Sequence, residues 1–164
     1  MKASDAFSTG LTMTAQIRDR VRFRGEDYSL AAATRPLEPL FRRHGRPLFV
    51  IQHTGMALGY HANWEVVDDR LYLTEMCGQY FVVPHCDEDF WRDGFRQLFS
   101  DGDKAFAEWF SGELCLPQGE AEFDAEGYWI HMYPSCIYLS IERGVVIGER
   151  VVKNPPAPWE KAAE

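Results

Sequence analysis

Residues 57–78 read ALGYHANWEVVDDRLYLTEMCG, and their alternation decides the fold class. Tyr60, Ala62, Trp64 and Val66 share one parity; Gly59, His61, Asn63 and Glu65 share the other. Successive side chains on a strand point to opposite faces, so this arm has one apolar, aromatic face and one polar face. Asp68-Asp69 follows, and short polar side chains suit a tight turn. The second arm alternates more weakly, with Leu71, Leu73 and Glu75 against Tyr72, Thr74 and Met76. Two strands joined by a two-residue turn predict a hairpin, held in register by cross-strand aromatic and aliphatic pairs.

Upstream, Ile17, Asp19, Val21 and Phe23 share one parity, and Arg18, Arg20, Arg22 and Arg24 share the other. This is an amphipathic strand with an arginine-rich outer face. Gly25-Glu26-Asp27 is expected to turn the chain, and Tyr28 to Ala33 to pair back. Pro36 and Pro39 mark a connection that closes at Arg42-Arg43-His44-Gly45-Arg46-Pro47. Leu48 to His53, a short apolar run bounded by Pro47 and Gly55, reads as a buried strand.

Downstream, Tyr80 to Val83 is a short strand stopped by Pro84. The period then changes. Asp87, Glu88 and Asp89 form an acidic start, favourable near a helix N-terminus. Phe90, Trp91, Phe95, Leu98 and Phe99 recur at helical spacing, and Asp103 is placed to cap a second short helix, Lys104 to Trp109. Strands resume from Phe110, with Tyr128 to Tyr133, Cys136 to Glu142 and Val145 to Val152 as the clearest. The fold class expected is α+β: a mainly antiparallel β-sheet with one helical block, residues 87–109, packed on one side. One domain spans 1–164, with a flexible N-terminus (1–13) and a Pro-rich tail (154–164).

Charge is unevenly distributed. Residues 1–50 carry nine Lys or Arg against five Asp or Glu, while residues 51–164 carry eight against twenty, for a formal net charge of -8. The C-terminal two-thirds should repel nucleic acid and acidic membranes. Its surface is either simply solvated or complementary to a basic partner. The arginine strand, with Arg42, Arg43 and Arg46, is the one basic cluster. It suits phosphate or RNA, but facing acidic neighbours within the sheet is favoured in a chain this acidic. The N-terminus has no apolar signal core, and no apolar run approaches membrane-spanning length, so a soluble, cytoplasmic chain is expected.

Catalytic signatures are missing. Cys77, His85, Cys86, Cys115, His131 and Cys136 offer metal-ligand chemistry, but there is no C-x2-C spacing, and adjacent His85 and Cys86 are poorly placed as joint ligands. A Cys86 thiolate would be disfavoured by Asp87, Glu88 and Asp89. No metal or other cofactor is therefore expected, and the cysteines read as reduced core thiols. The aromatic content exceeds what a small core must hold, and Tyr and Trp favour binding surfaces. The rhythm Gly59-Tyr60, Trp64-Glu65, Leu71-Tyr72-Leu73 resembles that of small bacterial proteins, a resemblance that implies no activity.

Two functional expectations follow. The first is a binding protein without catalytic activity, presenting an acidic, aromatic-rich face to a basic protein partner, as an immunity or adaptor protein does. The alternative is a small enzyme or small-molecule-binding domain whose pocket is lined by His61, Glu65, Trp129, His131 and Tyr133.

Overall fold

The computed structural model describes residues 16–31, 34–100, 102–120 and 133–153. Strand β1 (Arg20–Phe23) buries Val21 and Phe23 and exposes Arg20 and Arg22, as its parity requires. The turn into β2 (Glu26–Ser29) is Arg24-Gly25, both at positive φ (51° and 79°). Two such residues match the right-handed twist of the flanking strands. Glu26 and Asp27, expected in the turn, are therefore already paired, with Phe23 and Arg22.

The proline-marked connection contains a helix, α1 (Glu38–His44). Pro39 stands in its first turn, where a missing backbone N–H leaves no bond unmade. Glu38 lies at the positive end of the helix dipole; Arg42, Arg43 and His44 lie at the negative end. The run after it forms only a two-residue strand, β3 (Leu48–Phe49), and is not buried as expected. Leu48 is 59% exposed and Ile51 63%. A short apolar run carries no period that separates core from periphery. Phe49 alone turns inward, against Phe41, Tyr60 and Tyr80.

The central hairpin is β4 (Tyr60–Val67) and β5 (Arg70–Gly78), turning at Asp68 and Asp69, both at positive φ (49° and 58°). Tyr60, Ala62 and Trp64 are buried. The weak alternation of the second arm has a definite cause. Asn63 pairs with Glu75 but Trp64 with Leu73, so Thr74 is an extra residue, a β-bulge. Its Oγ1 donates to the Asn63 carbonyl at 2.9 Å. The bulge flips parity, so that Leu71 and Leu73 on one side of it and Met76 on the other all reach the core.

After β6 (Tyr80–Phe81), which pairs with β3, the Asp87 carboxylate accepts the Phe90 N–H at 3.2 Å. A π-helical turn (Phe90–Gly94) runs into α2 (Phe95–Gln97). The helical block ends there. Lys104 to Trp109, expected as a second helix, holds β7 (Ala105–Phe106), antiparallel to β5. Ala105, Ala107 and Trp109 are buried, a period of two that the small alanine side chains conceal in sequence. Strands β8 (Gly112–Gln118), β9 (Ser135–Glu142) and β10 (Val145–Lys153) then form an antiparallel meander.

The main sheet runs β2-β1-β4-β5-β10-β9-β8, with β7 against β5. It is mixed rather than purely antiparallel, because β1 and β4 are parallel, with Val21 opposite Trp64. Parallel neighbours need a long crossover, and the segment carrying α1 and β3 supplies it. The meander meets the hairpin at one register pair, Val145 with Arg70. Flanking bonds reinforce this corner, from Leu71 N to Gly144 O and from Gly144 N to Phe110 O, each at 2.8 Å. On the far side the Ala31 N–H donates to Cys115 O at 3.1 Å. The sheet thus curls into a partly closed barrel. Val21, Trp64 and Leu73 from one half share a single core with Leu114, Leu116, Leu139 and Ile141 from the other.

The tip of the β1–β2 hairpin is tied to β10 by Arg24, bidentate to Glu149 at 2.8 and 2.7 Å. Arg24 is well exposed, so solvent and side-chain entropy take back most of the attraction. A double-mutant cycle of Arg24→Ala and Glu149→Ala by chemical denaturation is expected to give a coupling of about 0.5–1 kcal/mol. A coupling above that range would mean the pair is shielded from water.

Candidate functional site

Asp19 precedes β1 on the parity of Val21 and Phe23, so its carboxylate enters the end of the barrel where β1 and β4 begin. It takes over where the β1–β4 ladder stops. One oxygen accepts the Ala62 N–H at 2.9 Å and the other accepts the Trp64 Nε1–H at 3.0 Å. Its own backbone carbonyl accepts the Leu30 N–H at 2.8 Å, and this fixes the residue against β2. Burial raises the carboxyl above its ordinary aspartate value. The Trp64 and Ala62 hydrogen bonds, and charge from His61 and Arg35, pull the other way but do not prevail.

This carboxylate faces a cavity of about 190 Å³ with mainly apolar walls: Ile17, Leu30, Ala31, Met56, Ala57, Leu58 and Tyr60, with Gln16, Arg18, Thr34 and Arg35 completing the lining. The walls are tied together. Ile17 N donates to Gly55 O at 2.8 Å, Gln16 Nε2 to Thr54 O at 2.8 Å, and Ala57 N to Gln16 Oε1 at 3.0 Å. Tyr60 closes the inner side. Its hydroxyl is raised by burial first, then by the charges of Asp19 and Glu38. Its other face joins an aromatic cluster with Phe41 and Phe49, which extends to Trp91. The barrel mouth is a common place for small-ligand sites.

The sign of the Asp19 shift has a consequence for stability. A carboxyl raised on folding holds its proton to higher pH in the folded chain than in the unfolded chain. Its contribution is therefore greatest when protonated. It declines as pH rises from the ordinary aspartate range through the raised folded value. We expect the Asp19 carboxyl carbon, followed by NMR, to titrate with a midpoint above that of an ordinary aspartate. Asp19→Asn should remove this component from the pH dependence of unfolding. A midpoint at or below the ordinary value would contradict the enclosed geometry.

The residues anticipated for a pocket fall as follows. His61 and Glu65 lie on the outer parity of β4, on the face opposite the cavity. His61 stands opposite Cys77, and its Nδ1 is buried without a hydrogen-bond partner among the described residues. Glu65 is opposite Tyr72 and forms an ion pair with Lys104 at 3.7 Å. Tyr133 borders a separate groove between β2 and β8, with Tyr28, Gln118 and Glu120. Trp129 and His131 lie outside the described residues. Asp19 was missed. Its signal was present: a lone carboxylate on the apolar parity of an amphipathic strand, where a charge is costly unless hydrogen bonds receive it.

The arginines disperse. Arg22 stands between Asp27 and Glu65 in the paired register. Arg24 binds Glu149, and Arg46 binds Glu38 at 3.2 Å while lying over the Phe41 ring. Arg18 and Arg35 reach the cavity. The four cysteines are free thiols. Cys136 is pushed up to about 12 by burial and by Cys115 beside it, and Cys77 is raised by burial and by Glu75. Both are thus protonated, weak nucleophiles near neutrality. Cys86 Sγ is engaged by the Val83 backbone. His44 Nδ1 lies 2.9 Å from Asp87 and its ring stacks on Phe90, a strut between α1 and the helical block. The His44 and Phe90 hydrogen bonds hold the Asp87 carboxyl below its usual range. No group of three or more His, Cys, Asp or Glu able to hold a metal occurs among the described residues, and no helix there is long and apolar enough to cross a membrane.

Fold and site together define a partly closed barrel with a small, carboxylate-bearing cavity at its mouth. Comparison with family models, curated proteins and solved structures finds no match for this chain.

Proposed function

We propose that the chain is a small-molecule-binding protein without catalytic activity, its ligand seated in the barrel mouth against Asp19. The observation that carries this reading is a carboxylate held by two strand donors at the wall of an otherwise apolar cavity. Such a site combines burial for affinity with one oriented polar group for selectivity. Among the described residues the lining contains no cysteine, serine, histidine or lysine, which favours binding over nucleophilic catalysis.

The test is a fragment screen monitored by the assigned Trp64 indole N–H resonance, whose proton is given to Asp19. Hits are expected to shift that resonance. Asp19→Ala should weaken them about tenfold or more, the worth of a hydrogen bond to a charged group. A screen without a single hit at Trp64 would remove the proposal.

A second reading, docking of a protein partner, is supported by a different observation. Leu48 and Phe81 form a cross-strand pair with both side chains largely exposed, beside exposed Ile51. The acidic excess of residues 51–164 would suit a basic partner. Retention of a host protein at low salt, lost on Phe81→Ser, would move this reading ahead.

A further inference from the structure

Resting on the reading of the barrel mouth as a ligand site, we infer that its ligand is a small amphoteric molecule of the apolar amino-acid class. A hydrogen-bond-donating nitrogen meets Asp19, an apolar body meets Leu30, Met56 and Leu58, and an anionic group meets Arg18 and Arg35.

Each part follows from a feature of the cavity. The Asp19 oxygens each accept one bond from the protein, and an ionised carboxylate has about four lone-pair positions. It can accept further donors and repels an anion placed against it. Most of the remaining wall is hydrocarbon, from Ile17, Leu30, Ala31, Met56, Ala57 and Leu58, with Gln16, Thr34 and Tyr60 as its uncharged polar members. Two cations, Arg18 and Arg35, also line the cavity. Neither has an ion-pair partner within 4.0 Å among the described residues, whereas Arg24, Arg46, Arg92 and Arg150 each have one. Arginine recognises carboxylates through paired donors in a planar fork. One anionic point and two cationic points around an apolar space complement a molecule carrying both charges. Size narrows the class: about 190 Å³ is some six water volumes at ~30 Å³ each. That is below the roughly 300–1,000 Å³ that drug-sized ligands fill, which favours a small ligand.

The test uses three probes on the full chain: L-leucine, 3-methylbutylamine, which lacks the carboxylate, and 4-methylpentanoate, which lacks the amine. Binding is read by the Trp64 indole resonance, identified through its loss in Trp64→Phe. L-leucine is expected to shift it and to bind at least about tenfold tighter than either half-molecule, given what one charge-assisted contact contributes. Arg35→Gln should reduce the preference over the amine, Arg18 remaining in the lining, and should not weaken the amine's own binding, because the lost cation acts on Asp19 as well. Equal binding of leucine and one half-molecule would overturn the inference, and so would silence from all three probes. Silence alongside fragment hits at Trp64 would overturn the ligand class and leave the ligand site standing. Silence from the fragments too would remove both.

Discussion

Trp64→Ala is expected to lower the free energy of unfolding by roughly 3–5 kcal/mol, the range for removing a large aromatic from a core. Trp64 is 2% exposed, stands opposite Leu73 on one side and Val21 on the other, and joins the two halves of the barrel core. The truncation leaves a void among Val21, Leu73 and their neighbours. It also takes from Asp19 one of its two donors while the carboxylate stays enclosed, an added cost of about 1–3 kcal/mol. Part of that cost is relieved if Asp19 takes up a proton. Trp64→Phe separates the two effects, because it keeps most of the ring and removes only the N–H. Its expected cost is about 1–3 kcal/mol, and it should raise the Asp19 titration midpoint further. Denaturant midpoints at constant m-value give both figures. For a domain stable by about 5–15 kcal/mol, the alanine variant should be close to unfolding at 37 °C. A loss below 1 kcal/mol would mean that the indole does not anchor the core.

The second large effect is expected at Gly144. It lies in the β9–β10 turn at φ 81°, where its N–H donates to Phe110 O and its carbonyl accepts from Leu71. With the Val146 N–H, which donates to Asp69 O at 2.8 Å, it bonds the meander to the hairpin half of the sheet. A Cβ there would lie 2.7 Å from Ala107 O and 2.8 Å from Phe106 Cε2. Backbone oxygen cannot yield as a side-chain end can, so β7 would have to shift off β5. Gly144→Ala combines about 1–2 kcal/mol of left-handed backbone cost with overpacking of about 1–3 kcal/mol. Gly25→Ala supplies the control. Gly25 has nearly the same φ, 79°, but a Cβ there meets nothing within 4 Å. Gly25→Ala should therefore show the backbone cost alone. If the two variants lose the same stability, the corner at Gly144 is looser than the structure has it.

Much of the strand content was legible because it rests on local period. Tyr60, Ala62 and Trp64 alternate with His61, Asn63 and Glu65, and their burial follows that alternation; so does the burial of Val21 and Phe23. The misreadings came where the period was short or concealed. Leu48 to His53 is too brief to show which face is covered, and Lys104 to Trp109 hides its strand parity behind two alanines. Pro39 looked like a breaker because its effect depends on helix position, tolerated in the first turn and disruptive deeper in.

The candidate site was less legible than the fold. His61 and Glu65 drew attention as polar residues next to aromatics, yet their parity carries them to the outer face. Asp19 stood on the inner parity, but the reason it is tolerated there, donors from Ala62 and Trp64, lies more than forty positions along the chain.

The amino-acid sequence by itself determined the β4–β5 and β9–β10 hairpins with their turns and the buried side of β1 and β4, because those depend on residues within a few positions of one another. Tertiary structure alone decided that β1 lies parallel to β4, that the sheet closes through Ala31 and Cys115, and that Asp19, Arg18 and Arg35 surround one cavity. Strand order and convergence depend on which distant surfaces exclude water together, and no local pattern encodes that choice.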